Sequence, residues 1–222
     1  MSGDEVRPYG DRAVMVDVDD VDAALAWAAA IRSAAADGSL PGVVDVVPGM
    51  QSVLVIGDGI VPRHTMADNL MQVSASRELG NGDALADGSA RSGVSEVRIP
   101  VRYDGPDLTN VAALTGMTEE AVVRAHSESH WRVAFAGFTP GFGYLVGGDQ
   151  RLTVPRRVES RPMVPAGAVG LAGEFSGVYP RSSPGGWQII GRTDVVLWDI
   201  EHDPPALLMP GILVRFVDRT AS

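Results

Sequence analysis

Apolar and polar positions divide this chain into two stretches with different periods. In the first, residues 11–18 (Asp-Arg-Ala-Val-Met-Val-Asp-Val) partly alternate, as a strand with one buried face does. Residues 21–36 are mostly apolar, broken by Arg32, and read as a packed helix with Asp20 at its cap and Asp37-Gly38 at its end. Residues 43–47 and 52–56 are short β-branched runs separated by the turn pair Pro48-Gly49. A second helix is predicted over 65–79 and a strand over 96–101. The order β-α-β-β-α-(β) is that of a split β-α-β unit.

The second stretch opens with a short predicted helix over 108–114. Thr118 followed by Glu119-Glu120 then marks the start of another, running to about Ser127, because first-turn carboxylates suit the positive end of a helix. Beyond it, β-like runs at 131–135, 151–154, 169–172, 188–190, 195–198 and 213–217 alternate with Gly/Pro turns. Many short strands with regular turn signals predict a small antiparallel β-barrel. The soft segment 80–93, rich in Gly, Ser and Ala, reads as a flexible linker. We therefore expect an α+β chain of two domains: 1–93 ferredoxin-like, and 94–222 a barrel that carries the site.

Composition narrows the function. No apolar run among the 222 residues approaches the roughly 20 needed to cross a bilayer. The N-terminus is acidic and has no apolar secretory core, and cysteine is absent, so cytoplasm is the expected compartment. A net charge of −10 argues against nucleic-acid and anionic-membrane partners. All 18 basic residues are arginines, which rules out a Walker-A, Schiff-base or biotinylated lysine on this chain. The charge is uneven: residues 1–94 hold 14 acids and 6 arginines, a net −8, while 95–222 hold 14 acids and 12 arginines, a net −2.

Candidate chemistry concentrates in residues 135–193, where glycines and prolines alternate with aromatics and arginines. Phe138, Pro140, Gly141, Phe142 and Tyr144 form either a stiff turn with its rings in the core or a pocket wall for a small planar ligand. Gly141-x-Gly143 is not a dinucleotide loop, because Val146 stands where the third glycine belongs. His126 and His130 share a helix face by spacing, yet no third metal ligand is evident, so no metal is expected. His126 is instead expected to face the pocket as a general acid or base. Arg151, Arg156, Arg157 and Arg161 are either a solvated face or an anion site. Pro155 and Pro162 hold the backbone of Arg156 and Arg161, which favours binding a carboxylate or phosphate. Ser183, Pro184, Gly185, Gly186 and Trp187 add a hydroxyl and close-approach glycines, with no triad spacing.

These motifs together resemble the allophanate hydrolase subunit 1 family. The residues that carry the resemblance are Gly137-Phe138-x-Pro140-Gly141-Phe142-x-Tyr144-Leu145, Pro155-Arg156, Val164-Pro165-Ala166-Gly167, Tyr179-Pro180 and Ser183-Pro184-Gly185-Gly186-Trp187-x-Ile-Ile-Gly191-Arg192-Thr193. Asp107-Leu108 and His126 also match, and Gly10-Asp11-Arg12-Ala13 matches near the first strand. The family includes the B subunit of bacterial ATP-dependent 5-oxoprolinase and a Kip-type inhibitor of a sensor histidine kinase. The resemblance implies a ferredoxin-like N-terminal domain and a cyclophilin-like barrel. It also implies a separate subunit 2 partner (the C subunit of 5-oxoprolinase), with a third subunit, and a site where two barrels meet. The implied activity is ATP-dependent opening of a small amide or lactam such as 5-oxoproline. ATP would be held by or shared with the complex, with no metal or biotin on this chain. The alternative it implies is a regulator docking on a histidine kinase. Under the enzyme reading, His126, Arg156, Arg161 and Arg192 would act in the chemistry. Phe138–Tyr144, Pro165, Ala166, Gly167, Tyr179 and 183–187 would bind substrate or partner. The chain departs from the family pattern at Trp131 and at Glu174-Phe175-Ser176-Gly177.

Overall fold

The computed structural model describes residues 5–79 and 96–219, and the expected linker at 80–93 lies outside the described residues. The chain divides into two compact units, Met1–Arg91 and Ser92–Ser222. In the first, β1 (Glu5–Tyr9), β2 (Ala13–Asp17), α1 (Val21–Ala36), β3 (Val43–Pro48), β4 (Ser52–Gly57) and α2 (Arg63–Leu79) follow in order. The sheet is antiparallel throughout, in spatial order β1-β2-β4-β3. Val14, Val16, Val46, Val53 and Val55 cluster with Trp27, Ala28 and Ile31 of α1 and with Met66 and Leu70 of α2. Asp20 caps α1 as expected, accepting a hydrogen bond from Ala23 N–H at 2.8 Å.

One expectation for this unit is corrected. Residues 96–101 do not close the first sheet; they form a strand of the second unit. The edge beside β2 is taken instead by β1, whose Glu-Val-Arg-Pro-Tyr sequence shows little alternation and contains a proline tolerated at a sheet edge.

The second unit contains β5 (Glu96–Val101), α3 (Leu108–Thr115), α4 (Glu119–Glu128), β6 (Trp131–Ala136), β7 (Gly143–Val146), β8 (Arg161–Val164), β9 (Ala168–Ala172), β10 (Phe175–Val178), β11 (Ser183–Gly185), β12 (Gln188–Arg192) and β13 (Leu213–Asp218). Seven strands form one sheet, β12-β9-β10-β7-β6-β13-β5, parallel between β13 and β5. β8 and β11 pair separately. The two ends of the sheet meet. Arg102 and Arg192 exchange backbone hydrogen bonds at 2.9 Å, and Gly105 and Asp107 N–H groups reach the Ile190 and Ile189 carbonyls. The result is a nearly closed barrel. A Cβ on Gly105 would collide with the Ile189 carbonyl and the Ile190 backbone, so this seam needs glycine. Residues 151–154 are not a strand: Gln150–Leu152 form a 3-10 turn and Val154 makes a single bridge to Gly173. Residues 195–198 likewise contribute only the bridge of Trp198 to Ala206.

Successive residues of a strand face opposite sides, so β10 sends Ser176 and Val178 inward and Phe175 and Gly177 outward. Inside, His126 is 0% exposed. Its Nδ1 and Nε2 are hydrogen-bonded to the Tyr103 hydroxyl and Ser176 Oγ, both at 2.8 Å, and its ring stacks on Phe216 at 4.3 Å. Trp131 Nε1–H donates to the His126 carbonyl at 3.0 Å. Burial lowers the His126 pKa to about 3, so the ring is neutral.

Two outcomes test this fold. Unfolded His126 binds a proton below about pH 6.5 while the folded ring stays neutral, so its share of stability is complete above that pH and falls on acidification. Between pH 7.5 and 5.0 the loss is about 2 kcal/mol, measured by urea unfolding. His126→Gln should flatten the slope in that window, and an equal slope in both proteins would refute the assignment. Gly105→Ala should cost about 2–4 kcal/mol by forcing the seam apart, and a wild-type denaturation midpoint would contradict that.

Candidate functional site

The outer face of the barrel gathers most of the motif residues around one cluster of rings. Phe135 stacks on Tyr144 at 4.5 Å, and Phe175 meets both edge-on at 5.7–6.0 Å. Phe142 contacts Tyr144, Tyr179 and Trp187 at 5.1–5.4 Å. Phe138 stands at the rim, 5.5 Å from Phe142 and 6.2 Å from Tyr179. Edge-to-face geometry lets rings pack densely without a continuous aliphatic core. The glycines serve that packing: a Cβ on Gly177 would press on the Phe142 and Trp187 rings at 3.0–3.1 Å, and one on Gly185 would strike the Tyr179 hydroxyl.

The loop joining β6 to β7 is self-bonded. Thr139 N–H donates to the Gly137 carbonyl at 2.7 Å, and Phe142 N–H to the Thr139 carbonyl at 3.0 Å. Gly141 backs onto Trp198 and Pro180, with Pro140 exposed beside it. Phe138 has φ 66°, the one positive-φ non-glycine among the described residues, and it is 59% exposed. A phenylalanine in that region costs roughly 1–3 kcal/mol and is retained where surrounding contacts force it. Thr139 Oγ1 is buried with no hydrogen-bond partner.

Arg156 borders the same cluster. Its guanidinium lies where a Cβ on Gly186 would approach it at 3.5–3.6 Å, and its charge opposes the burial that raises the Tyr144 and Tyr179 pKa values. Both phenols therefore stay protonated at neutral pH. Among the described residues Arg156 has no carboxylate partner, unlike its neighbours. Arg157 Nη1 and Arg161 Nη2 each donate to Asp107 Oδ1 at 2.8 Å, and Arg151 pairs with Asp149. Pro165 and Ala166 form the exposed turn between β8 and β9, where Gly167 N–H donates to the Tyr179 carbonyl at 2.7 Å. Ser183 and Pro184 lie on β11 beside β8.

Of the expected catalytic residues, His126 and Arg192 stand elsewhere, and Arg161, near Tyr179, is taken up by an ion pair. His126 is in the barrel interior, on the opposite side of β10 from Phe175, and does not face a pocket. Its expected partner on the same helix face, His130, lies beyond the end of α4 and is exposed. Arg161 is committed to Asp107. Arg192 forms a two-pronged pair with Asp104 at 2.7–3.1 Å, beside a groove of about 600 Å³ that it lines with Arg102, Arg219 and Asp194. No group of three or more metal-ligating side chains occurs among the described residues. Asp107 was missed as a site residue because an acid just before a helix reads as a cap, yet its side chain makes no cap bond to α3. Phe175, at a position departing from the family pattern, belongs to the ring cluster, and adjacent Ser176 belongs to the core.

Comparison with known proteins follows the fold. Residues 5–208 match the family model described as carboxyltransferase domain, subdomain C and D. A curated relative from Escherichia coli O157:H7, named as the B subunit of 5-oxoprolinase, is 42% identical over 80% of this chain and 79% of its own length. The crystal structure of TTHA0988 is 34% identical, with a TM-score of 0.71 over 95% of this chain, which spans 40% of that chain. The Kluyveromyces lactis urea carboxylase structure, at 18% identity and TM-score 0.69 over 96% of this chain and 21% of that one, shares the fold. No helix among the described residues is long and apolar enough to cross a membrane. The chain belongs to the carboxyltransferase subdomain C and D family, the allophanate hydrolase subunit 1 family that holds the B subunits of 5-oxoprolinase.

Proposed function

We propose that this chain is a cytoplasmic, non-autonomous subunit of an ATP-dependent amide or lactam hydrolase of the 5-oxoprolinase type, working with a separate subunit 2 partner. The observation that carries this reading is the guanidinium of Arg156, which has no carboxylate partner among the described residues and lies with exposed Phe138 and half-buried Tyr144 at the rim of a buried ring cluster. 5-Oxoproline is a small, nearly flat ring bearing one carboxylate. A guanidinium fork matches that carboxylate, while Phe138 and Tyr144 offer faces to the ring. The protonated hydroxyl of half-buried Tyr144 can donate to the lactam or carboxylate oxygens. In fold terms we read the first unit as ferredoxin-like, with β1 in place of the usual last strand, and the second as a cyclophilin-like barrel.

ATP does not fit the described residues of this chain. A triphosphate is held by backbone amides at close approach together with lysine or arginine, and the chain has no lysine. The glycines of the site are packed against the protein itself, Gly141 on Trp198 and Gly185 on Tyr179. We therefore assign ATP to the other subunits and route no step through it here. The groups on this chain bind and orient: Arg156 fixes one end of the substrate and the rings restrict its tilt. The relatives' name, that of the B subunit of 5-oxoprolinase, supports the presence of other subunits.

Reconstitution tests the reading. ATP-dependent glutamate release from 5-oxoproline should require this chain, its subunit 2 partner and the third oxoprolinase subunit together. A stable, inactive complex would overturn the substrate, and inhibition of a histidine kinase by this chain alone would favour docking. In the active complex, Arg156→Ala should raise KM for 5-oxoproline about 10- to 100-fold with kcat little changed, the loss of a charged hydrogen bond made before the chemistry. An unchanged KM would remove Arg156 from substrate binding.

A further inference from the structure

We infer that Asp107 is the positioning residue for Arg156 and so sets the affinity of the site for a carboxylate. The inference rests on the reading of Arg156 as the substrate's anchor. Asp107 is 2% exposed, so it does not meet the substrate. Its Oδ1 receives Arg157 Nη1 and Arg161 Nη2, both at 2.8 Å, and its Oδ2 receives the Ile189 N–H at 2.6 Å. The segment 157–161 is thereby tied at both ends to one buried carboxylate. Arg156 is also flanked by backbone ties. Gln188 Nε2 donates to the Pro155 carbonyl at 3.2 Å, and Arg157 N–H donates to the Gly186 carbonyl at 2.8 Å. Asn110 Nδ2 in turn holds Gln188 Oε1 at 3.1 Å.

One carboxylate serving two guanidiniums has a further effect. Arg157 Nε and Arg161 Nη1 are buried without partners, so this pair is under-neutralised and has no acceptor to spare for Arg156. Arg156 is left available, on a backbone tied on either side. Replacing Asp107 by its neutral isostere keeps acceptor oxygen but lets two like charges repel across the segment, which shifts Arg156 away from the ring wall.

The test is steady-state kinetics of the reconstituted complex with Asp107→Asn, Arg157→Gln, Arg156→Ala and the Asp107→Asn/Arg156→Ala double variant. Asp107→Asn should raise KM for 5-oxoproline about tenfold with kcat changed less than about threefold. Arg157→Gln, which leaves Asp107 bonded to Arg161 and Ile189, should raise KM in the same direction and decides the matter if Asp107→Asn does not fold. The double variant should bind no worse than Arg156→Ala, because the two act through one contact. A raised KM in Arg156→Ala beside wild-type KM in folded Asp107→Asn and in Arg157→Gln overturns the positioning role alone. Wild-type KM in Arg156→Ala overturns the carboxylate reading, and this inference with it.

Discussion

The second unit depends on closing a seven-stranded sheet onto itself at a seam of a few backbone hydrogen bonds. Sheet ends leave unpaired N–H and C=O groups, and pairing them removes an exposed edge. Here the ends meet where residues 102–107 lie against 189–192. Gly105 permits the approach, and Gly191 faces the Arg102 carbonyl with no room for a side chain. Asp107 sits at the end of this seam, and Ile189 N–H is both a strand group and its ligand. The seam thus closes the barrel and places the carboxylate that ties down the arginines beside the ring wall.

Closure also separates two kinds of chemistry. Inside, His126 is neutral and satisfied on both ring nitrogens, which favours rigidity over proton transfer. Outside, the charges are shared out among pairs. Arg192 with Asp104 and Arg151 with Asp149 are exposed pairs of small energetic value. Burying Asp107 has a desolvation cost that an apolar core would avoid, so its value lies in fixing geometry rather than in net stability.

Helix starts were legible because they rest on local chemistry: Asp20 and Thr118 cap α1 and α4 where their side chains predicted. β5 and β13 were legible from branched runs that fill a parallel pair. β7, β8, β10 and β11 were not, being three or four residues long and carrying glycine or proline, so their pairing is decided by neighbours across the sheet. At the site, the density of rings and prolines drew attention to Phe138, Phe142, Tyr144, Tyr179 and Trp187, whose rings pack against one another. His126 was misplaced because helical spacing groups it with Val122 and Ala125 on one face without showing that this face packs into the barrel interior. Asp107 was not singled out because its partners lie 50 and 54 residues away along the chain.

The exposure of Arg156 and Phe138 at the rim of the ring cluster has an electrostatic consequence for the proposed division of labour. Two opposite charges about 4 Å apart attract by about 1 kcal/mol in bulk water and about 4 kcal/mol at an effective dielectric of about 20. Arg156 is exposed on this chain, so a carboxylate docked on it is held weakly until something covers both. Covering the wall with a second protein surface would expel water, strengthen that pair and shield an activated lactam from unproductive hydrolysis. The rings are already fixed before any cover arrives, including Phe138 in its unfavourable backbone conformation. Little ordering entropy then remains to oppose assembly, and the gain in attraction on closure falls on the substrate. A preformed ring cluster with the exposed guanidinium of Arg156 at its rim is therefore suited to binding that becomes tight only within a complex.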